Sequence, residues 1–233
     1  MNIFFGELMG TLILILLGDG VVANVLLKQS KGVNGGWIVI CAGWGFAVSI
    51  AVYICGSLSG GHINPAVTLA LAMTHKTPWL EVPIYLSGQF LGAFLGASFV
   101  YLTYYSHFQV SENEEHKLLV FCTKPAIEHR VWNFITEVIA TMVLILGVLA
   151  IVDMHSGVSK GLAPFLFGIL VYGIGLSLGG PTGYAINPAR DFSPRLFHSL
   201  IFSFKRSDWG YAPVPLIAPC VGAILGTWIY LVV

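Results

Sequence analysis

The sequence predicts an all-α membrane protein with six transmembrane helices plus two half-helices in an inverted repeat, and three observations carry that expectation. Of the 233 residues, 56% are hydrophobic and 9% charged, where an ordinary soluble domain has roughly 25% charged. Six apolar stretches approach the roughly 20 residues that cross a hydrocarbon core. Each half of the chain also carries, in the same order, a Glu in an apolar span and an Asn-Pro-Ala triplet.

The spans lie near Ile3 to Leu27, Trp37 to Leu58, Val82 to Tyr104, Phe134 to Ile151, Leu162 to Leu178 and Pro213 to Val233. The first has no basic lead-in and is followed by more membrane segments, so it reads as a span and not as a signal peptide. After Gly60, Gly61, His62, Ile63, Asn64 and Pro65, the run Ala66 to Met73 is helical in composition but reaches Thr74 and Lys76 too soon to cross a bilayer. The same holds after Asn187 and Pro188. Asn is a favoured N-cap, and Pro at the first helical position loses no hydrogen bond. Each triplet therefore starts a short helix. Gly60 and Gly61 before the first triplet, and Gly179, Gly180 and Gly183 before the second, let the backbone run extended with its carbonyls aimed sideways.

Glu7 pairs with Glu137, Asn64-Pro65-Ala66 with Asn187-Pro188-Ala189, and Gly92 and Gly96 with Gly222 and Gly226. Three spans per half is an odd number, so the second copy enters the membrane from the opposite side. Residues 1–110 are the first repeat, 111–130 the connecting loop and 131–233 the second repeat, within one domain over 1–233. The polar run Ser111 to Lys117 reads as a solvated loop.

Several function classes drop out. Net charge is zero and Lys and Arg form no basic stripe, which excludes nucleic acid and leaves the lipid bilayer as the environment. Cys41, Cys55, Cys122 and Cys220 lack metal or disulfide spacing. No nucleophile, base or metal constellation assembles from the polar residues of the spans, so neither an enzyme nor a cofactor is expected.

Irregular backbone at membrane depth is tolerated only where it is buried in protein or lines a wet cavity. Two half-helices thus predict a central aqueous path, with the Asn64 and Asn187 amides meeting near the midplane as a constriction. Carbonyls of Gly60, Gly61, His62 and Ile63, and of Gly183, Tyr184 and Ala185, would line it. Glu7 and Glu137 are too costly in lipid without fixed donors, and they read as braces that take the loop N–H groups. No His or Asp is counted after either Glu along its span, which disfavours a proton relay. Arg190, on the first turn of the second half-helix, is a permanent cation in the path, while Asp191 and Arg195 pair at i, i+4 spacing.

Ser59 to Thr68 (Ser-Gly-Gly-His-Ile-Asn-Pro-Ala-Val-Thr) and Gly183 to Arg195 (Gly-Tyr-Ala-Ile-Asn-Pro-Ala-Arg-Asp-Phe-Ser-Pro-Arg) resemble the two signature loops of the aquaporin and glycerol-facilitator family, and the match covers the whole chain. The resemblance implies an aquaporin-like homotetramer with one pore per subunit. It also implies a four-position selectivity filter, falling on Trp44, Gly175, Tyr184 and Arg190. Gly175, where water-selective members carry His, is expected to widen the filter. Asp191 resembles the glycerol-conducting, aquaglyceroporin branch. Members of that branch commonly have Phe at the position of Tyr184, so the added hydroxyl is expected to make this corner more polar and narrower.

The expectation is a passive channel for glycerol and other small uncharged solutes, and for water, that excludes protons and ions. The alternatives are a channel preferring water, hydrogen peroxide or undissociated short acids such as lactic acid, and, less favoured, a secondary active transporter. Family topology implies a multi-pass plasma-membrane protein with both termini cytoplasmic. The Lys and Arg count points the other way: Lys76 and Lys160 lie in one set of loops, and Lys28, Lys31, Lys117, Lys124, Arg130, Lys205 and Arg206 in or near the other.

Overall fold

The computed structural model describes residues 2–153, 159 and 161–233. Among them ten α-helices follow in order: α1 (Asn2–Leu26), α2 (Trp37–Ser59), α3 (Pro65–Met73), α4 (Val82–Thr103), α5 (Tyr105–Val110), α6 (Glu114–Phe121), α7 (Arg130–Val152), α8 (Ala163–Leu178), α9 (Pro188–Ile201) and α10 (Pro213–Val232). α1, α2, α4, α7 and α10 are long and apolar enough to cross a membrane. α8 is the shortest of the six spans, since its 16 residues at 1.5 Å each reach about 24 Å.

Beside an apolar core, ionisable groups lie inside the bundle and large apolar side chains cover its outside. Glu7, Asp19, Gln89 and Arg195 are fully buried, while Phe46, Leu102, Trp132 and Trp228 are exposed. A chain surrounded by lipid is built this way, because an ionisable group survives there only where the protein interior supplies its partners. The molecule is an integral membrane protein.

Close helix contacts set the frame. Gly88, Gly92 and Gly96 form a small-residue stripe on α4, and a Cβ at Gly92 would lie 2.3 Å from the Leu8 carbonyl oxygen of α1. The matching stripe on α10 meets α7, where a Cβ at Gly222 would lie 2.5 Å from the Val138 carbonyl oxygen. Both glycine stripes thus find their partner helix inside the same chain, which lets the backbones approach as small-residue interfaces do. α3 and α9 are the two half-helices, and their N-termini abut in the middle of the bundle. Such an encounter requires that they come from opposite sides.

The connecting segment differs from the solvated loop expected of it. Asn113 caps α6 by accepting from the Glu115 and His116 N–H groups at 2.9 and 3.2 Å. Leu118, Val120 and Phe121 then turn inward and are buried, with the Phe121 ring stacked on Phe108 at 5.5 Å. The acidic run reads as solvent-facing because one face of α6 is, but the apolar residues just beyond it carry the segment back into the protein. Its charges are paired: Glu114 with Lys117 and Arg206, Glu115 with Lys124, and Glu112 with Lys28. Much of the basic excess on that side therefore has an acidic partner. On the other side Lys76 pairs with Asp153, and Lys160 lies outside the described residues.

Candidate functional site

The two triplets build the centre by capping. Asn64 accepts from the Ala66 N–H at 2.9 Å, and Asn187 from the Ala189 and Arg190 N–H groups at 3.0 and 3.2 Å. With its oxygen fixed, each amide must aim its nitrogen outward. Asn64 Nδ2 donates to the Ile186 carbonyl at 2.8 Å and Asn187 Nδ2 to the Ile63 carbonyl at 2.9 Å. The half-helices are thus cross-tied. Each amide spends one N–H on the opposite loop and has a second N–H beyond that bond. Ile63 is the exception among the expected lining carbonyls, because its oxygen already accepts from Asn187.

The loops ahead of the caps are strained. Ile63, Tyr184 and Ile186 have φ of 47°, 38° and 43°, a region costing about 1–3 kcal/mol for each such residue. Buried carboxylates hold them there. Glu7 accepts from the His62 N–H (3.0 Å), the Ile63 N–H (2.7 Å), the Ser59 hydroxyl (2.6 Å) and the Gln89 amide (2.7 Å). Glu137 accepts from the Ala185 and Ile186 N–H groups, both at 2.9 Å. In a trans peptide the preceding carbonyl points opposite to the N–H. The oxygens of Gly61 and His62 are therefore turned away from Glu7, and those of Tyr184 and Ala185 away from Glu137.

These residues line a cavity of about 90 Å³. About 10–15 Å³ of such volume is enough for one water, so the cavity accommodates several in file. Gly60, Gly61, His62, Ile63, Asn64, Tyr184, Ala185, Asn187 and Arg190 form its polar side, and residues such as Leu14, Val48, Val52, Leu144, Phe167 and Val171 the apolar remainder. The His62 ring itself stacks on Tyr85 at 4.0 Å and meets Thr68 Oγ1 at 3.1 Å. On the Arg190 side the path opens into a vestibule of about 360 Å³, bounded partly by Trp37, Trp44, Gly183 and the Glu115–Lys124 ion pair.

Trp44, Tyr184 and Arg190 come together between the two spaces, with the Arg190 guanidinium 4.3 Å from the Trp44 ring centroid. Gly175 does not line either cavity. The place its side chain would take is filled by the end of the Tyr184 ring: an added Cβ would lie 2.7 Å from Tyr184 Cζ, 2.9 Å from its hydroxyl oxygen and 3.0 Å from Cys41 Sγ. Gly175 thus leaves room for the Tyr184 ring. The Tyr184 hydroxyl, expected to make the corner more polar and narrower, is instead buried away from the lumen. Trp37 completes this niche, donating from Nε1 to the Gly175 carbonyl at 3.0 Å and meeting the Tyr184 ring edge-on at 5.8 Å.

Sequence reasoning missed two features. Asp19 follows Glu7 along α1, contrary to the count that set aside a relay, and its fully buried carboxylate lies 3.7 Å from Arg190 Nη1. An ionisable residue inside a span is a functional signal by default, and Asp19 carried that signal. The second is the part played by the connecting segment. The Asp191–Arg195 pair forms at 2.8 Å, but it also clamps Thr123, whose N–H and hydroxyl both donate to Asp191 Oδ2 at 2.7 Å. Arg195 in turn donates to the Thr123, Ser207 and Asp208 carbonyls at 2.8–2.9 Å. Among the described residues no cluster of His, Cys, Asp and Glu is arranged to hold a metal, and the four cysteines are free.

A membrane-embedded helical bundle with two opposed half-helices and a narrow amphipathic path between them defines a pore-type membrane protein. The family model described as major intrinsic protein matches residues 1–230, and the chain belongs to that family. It is 55% identical over 235 aligned positions to the "Probable glycerol uptake facilitator protein" of Thermotoga maritima, covering 99% of this chain and 98% of that protein. It is 46% identical over 232 positions to the glycerol uptake facilitator protein of Bacillus subtilis, covering 99% and 84%. The aquaglyceroporin from Plasmodium falciparum has the same fold, with a TM-score of 0.90 at 34% identity over 98% of this chain and 94% of that one.

Proposed function

We propose that the protein is a passive channel for glycerol and other small uncharged solutes, and for water. One observation carries the reading: the path is amphipathic along its length, with amides, carbonyls and Arg190 on one side and aliphatic side chains on the other. A polyol has the same division, hydroxyls on one edge and a carbon chain on the other, so it exchanges water hydrogen bonds for fixed ones while its carbons meet an apolar wall. The relatives' names agree with this.

In this reading Asn64 and Asn187 are the central constriction, and Trp44, Tyr184 and Arg190 the selectivity filter, with Gly175 seating Tyr184. The carbonyls of Gly60, Gly61, His62, Gly183, Tyr184 and Ala185 replace solvent, and Glu7 and Glu137 brace the loops. Both half-helix N-termini present positive dipole ends to the centre, which together with Arg190 raises the cost of a proton or cation there. The chain acts as a homotetramer in the plasma membrane, with both termini cytoplasmic and one pore in each subunit. Residues 1–110 and 131–233 act as the inverted repeats.

Stopped-flow light scattering on proteoliposomes, with water, glycerol and undissociated lactic acid compared, tests the function. Glycerol flux that is fast and indifferent to ion gradients is expected. Passage of water alone would remove the glycerol assignment, and dependence on a proton or sodium gradient would remove the channel reading. Native mass spectrometry tests the tetramer.

A further inference from the structure

We infer that Asp19 is the positioning residue of the selectivity filter: it anchors the Arg190 guanidinium from behind and holds the filter near net neutrality. The inference rests on the reading that Arg190 faces the permeating solute.

Asp19 has no exposure to solvent, and among the described residues neither of its carboxylate oxygens has a hydrogen-bond partner. The group it faces is Arg190, with Nη1 at 3.7 Å from Oδ1. A carboxylate on a membrane helix is costly, and one with no other partner is accounted for only by that cation. The preceding residue on α1 serves the same pair. Gly18 leaves room for the indole of Trp44, since a Cβ there would lie 2.3 Å from Trp44 Cζ3, and the Trp44 ring is the face on which the guanidinium rests. One stretch of α1 thus seats both the aromatic and the cationic wall of the filter.

The direction of the anchoring matters. Among the described residues the side-chain hydrogen bond of Arg190 goes to the Phe121 carbonyl, 3.4 Å from the same Nη1. Both protein partners therefore draw on one nitrogen, leaving the N–H groups of Nη2 and Nε for a solute. Arg190 cannot lose its proton at neutral pH, so without Asp19 this part of the path would carry a full positive charge on a side chain held by one carbonyl and the Trp44 ring face. With Asp19 it carries a fixed dipole whose positive end faces the lumen. Release of the anchor lets the guanidinium move into the lumen, which obstructs a polyol more than a water molecule.

A double-mutant cycle in proteoliposomes tests this, reading the glycerol-to-water permeability ratio in the wild type, Asp19→Asn, Arg190→Ala and the double variant. The expected result is a ratio lowered about fivefold by Asp19→Asn, the scale of coupling between contacting residues, and no such change when Arg190 is already Ala. An unchanged ratio in Asp19→Asn, or an equal change in both backgrounds, overturns the inference. If Asp19→Asn yields no folded protein, recovery of folding in the double variant supports it, because an unpaired buried cation was then the cause; failure to recover overturns it. Arg190→Ala alone serves as the control for the underlying reading, since an unaltered solute order there shows that Arg190 is not part of the filter.

Discussion

The loops before α3 and α9 perform the same operation with unequal means. Glu7 gathers four donors, two from backbone and two from the Ser59 and Gln89 side chains, whereas Glu137 takes the Ala185 and Ile186 N–H groups. α9 itself has a further hold that α3 lacks, through Asp191 and Arg195 to Thr123 of the connecting segment. α3 carries no charged residue, while α9 carries Arg190, Asp191 and Arg195 within its first turns. The duplicated part of the design is the scaffold, the Asn caps and Glu braces. The cation with its aromatic and carboxylate neighbours, which is the discriminating part in the function proposed above, occurs once among the described residues, at one mouth of the path.

That asymmetry is open to test from the largest expected effect downward. Asp191→Ala leaves Arg195 buried without its carboxylate and should destabilise the protein by about 3–5 kcal/mol, read as a lowered thermal midpoint in detergent; an unshifted midpoint would mean that α9 is held to the connecting segment by other contacts. Glu7→Ala and Glu137→Ala each strand two buried N–H groups at about 1–3 kcal/mol apiece. Glu7→Ala should cost more, because Ser59 also loses its acceptor and Gln89 one of its two, and equal losses would sink the claim that the braces carry unequal loads.

Substitution of Gly175 by Ala places a methyl group against the Tyr184 ring. It should drive that ring toward the lumen and reduce glycerol flux more than water flux. The buried Tyr184 hydroxyl makes the complementary prediction: Tyr184→Phe should leave the solute order as it is, and a reordering would place the hydroxyl in the lumen after all.

The smallest effect concerns the α6 surface. The hydrogen bond from Lys117 holds the Glu114 carboxyl below its usual value of 4.5, and that from Lys124 does the same for Glu115. A depressed carboxylate contributes stability above its unfolded value and loses it as pH falls through the folded one. Thermal midpoints should therefore be flat at neutral pH and fall slightly only below 4.5. The size is small because exposed pairs are screened, and a large transition above that value would point to other groups.

What could be read in advance followed from local rules. Span length and apolarity set α1, α2, α4, α7 and α10, Asn-Pro set the starts of α3 and α9, and the odd number of spans per half set the inversion. What could not be read depended on side chains far apart in the chain. The acidic run Glu112 to Glu115 looks solvated in isolation, yet the segment beyond it delivers the Phe121 carbonyl to Arg190 and Thr123 to Asp191. Gly175 looks like empty space until Tyr184 is found in it.

The sequence by itself determined the solvent, the repeat and the positions of the two Asn caps, because hydropathy and helix termination are decided within a few residues of chain. Only the tertiary structure decided which way the Tyr184 hydroxyl points, that Asp19 stands behind Arg190, and that each Asn amide ties the opposite loop. Those outcomes depend on directions and distances between helices, which residue spacing along one chain does not encode.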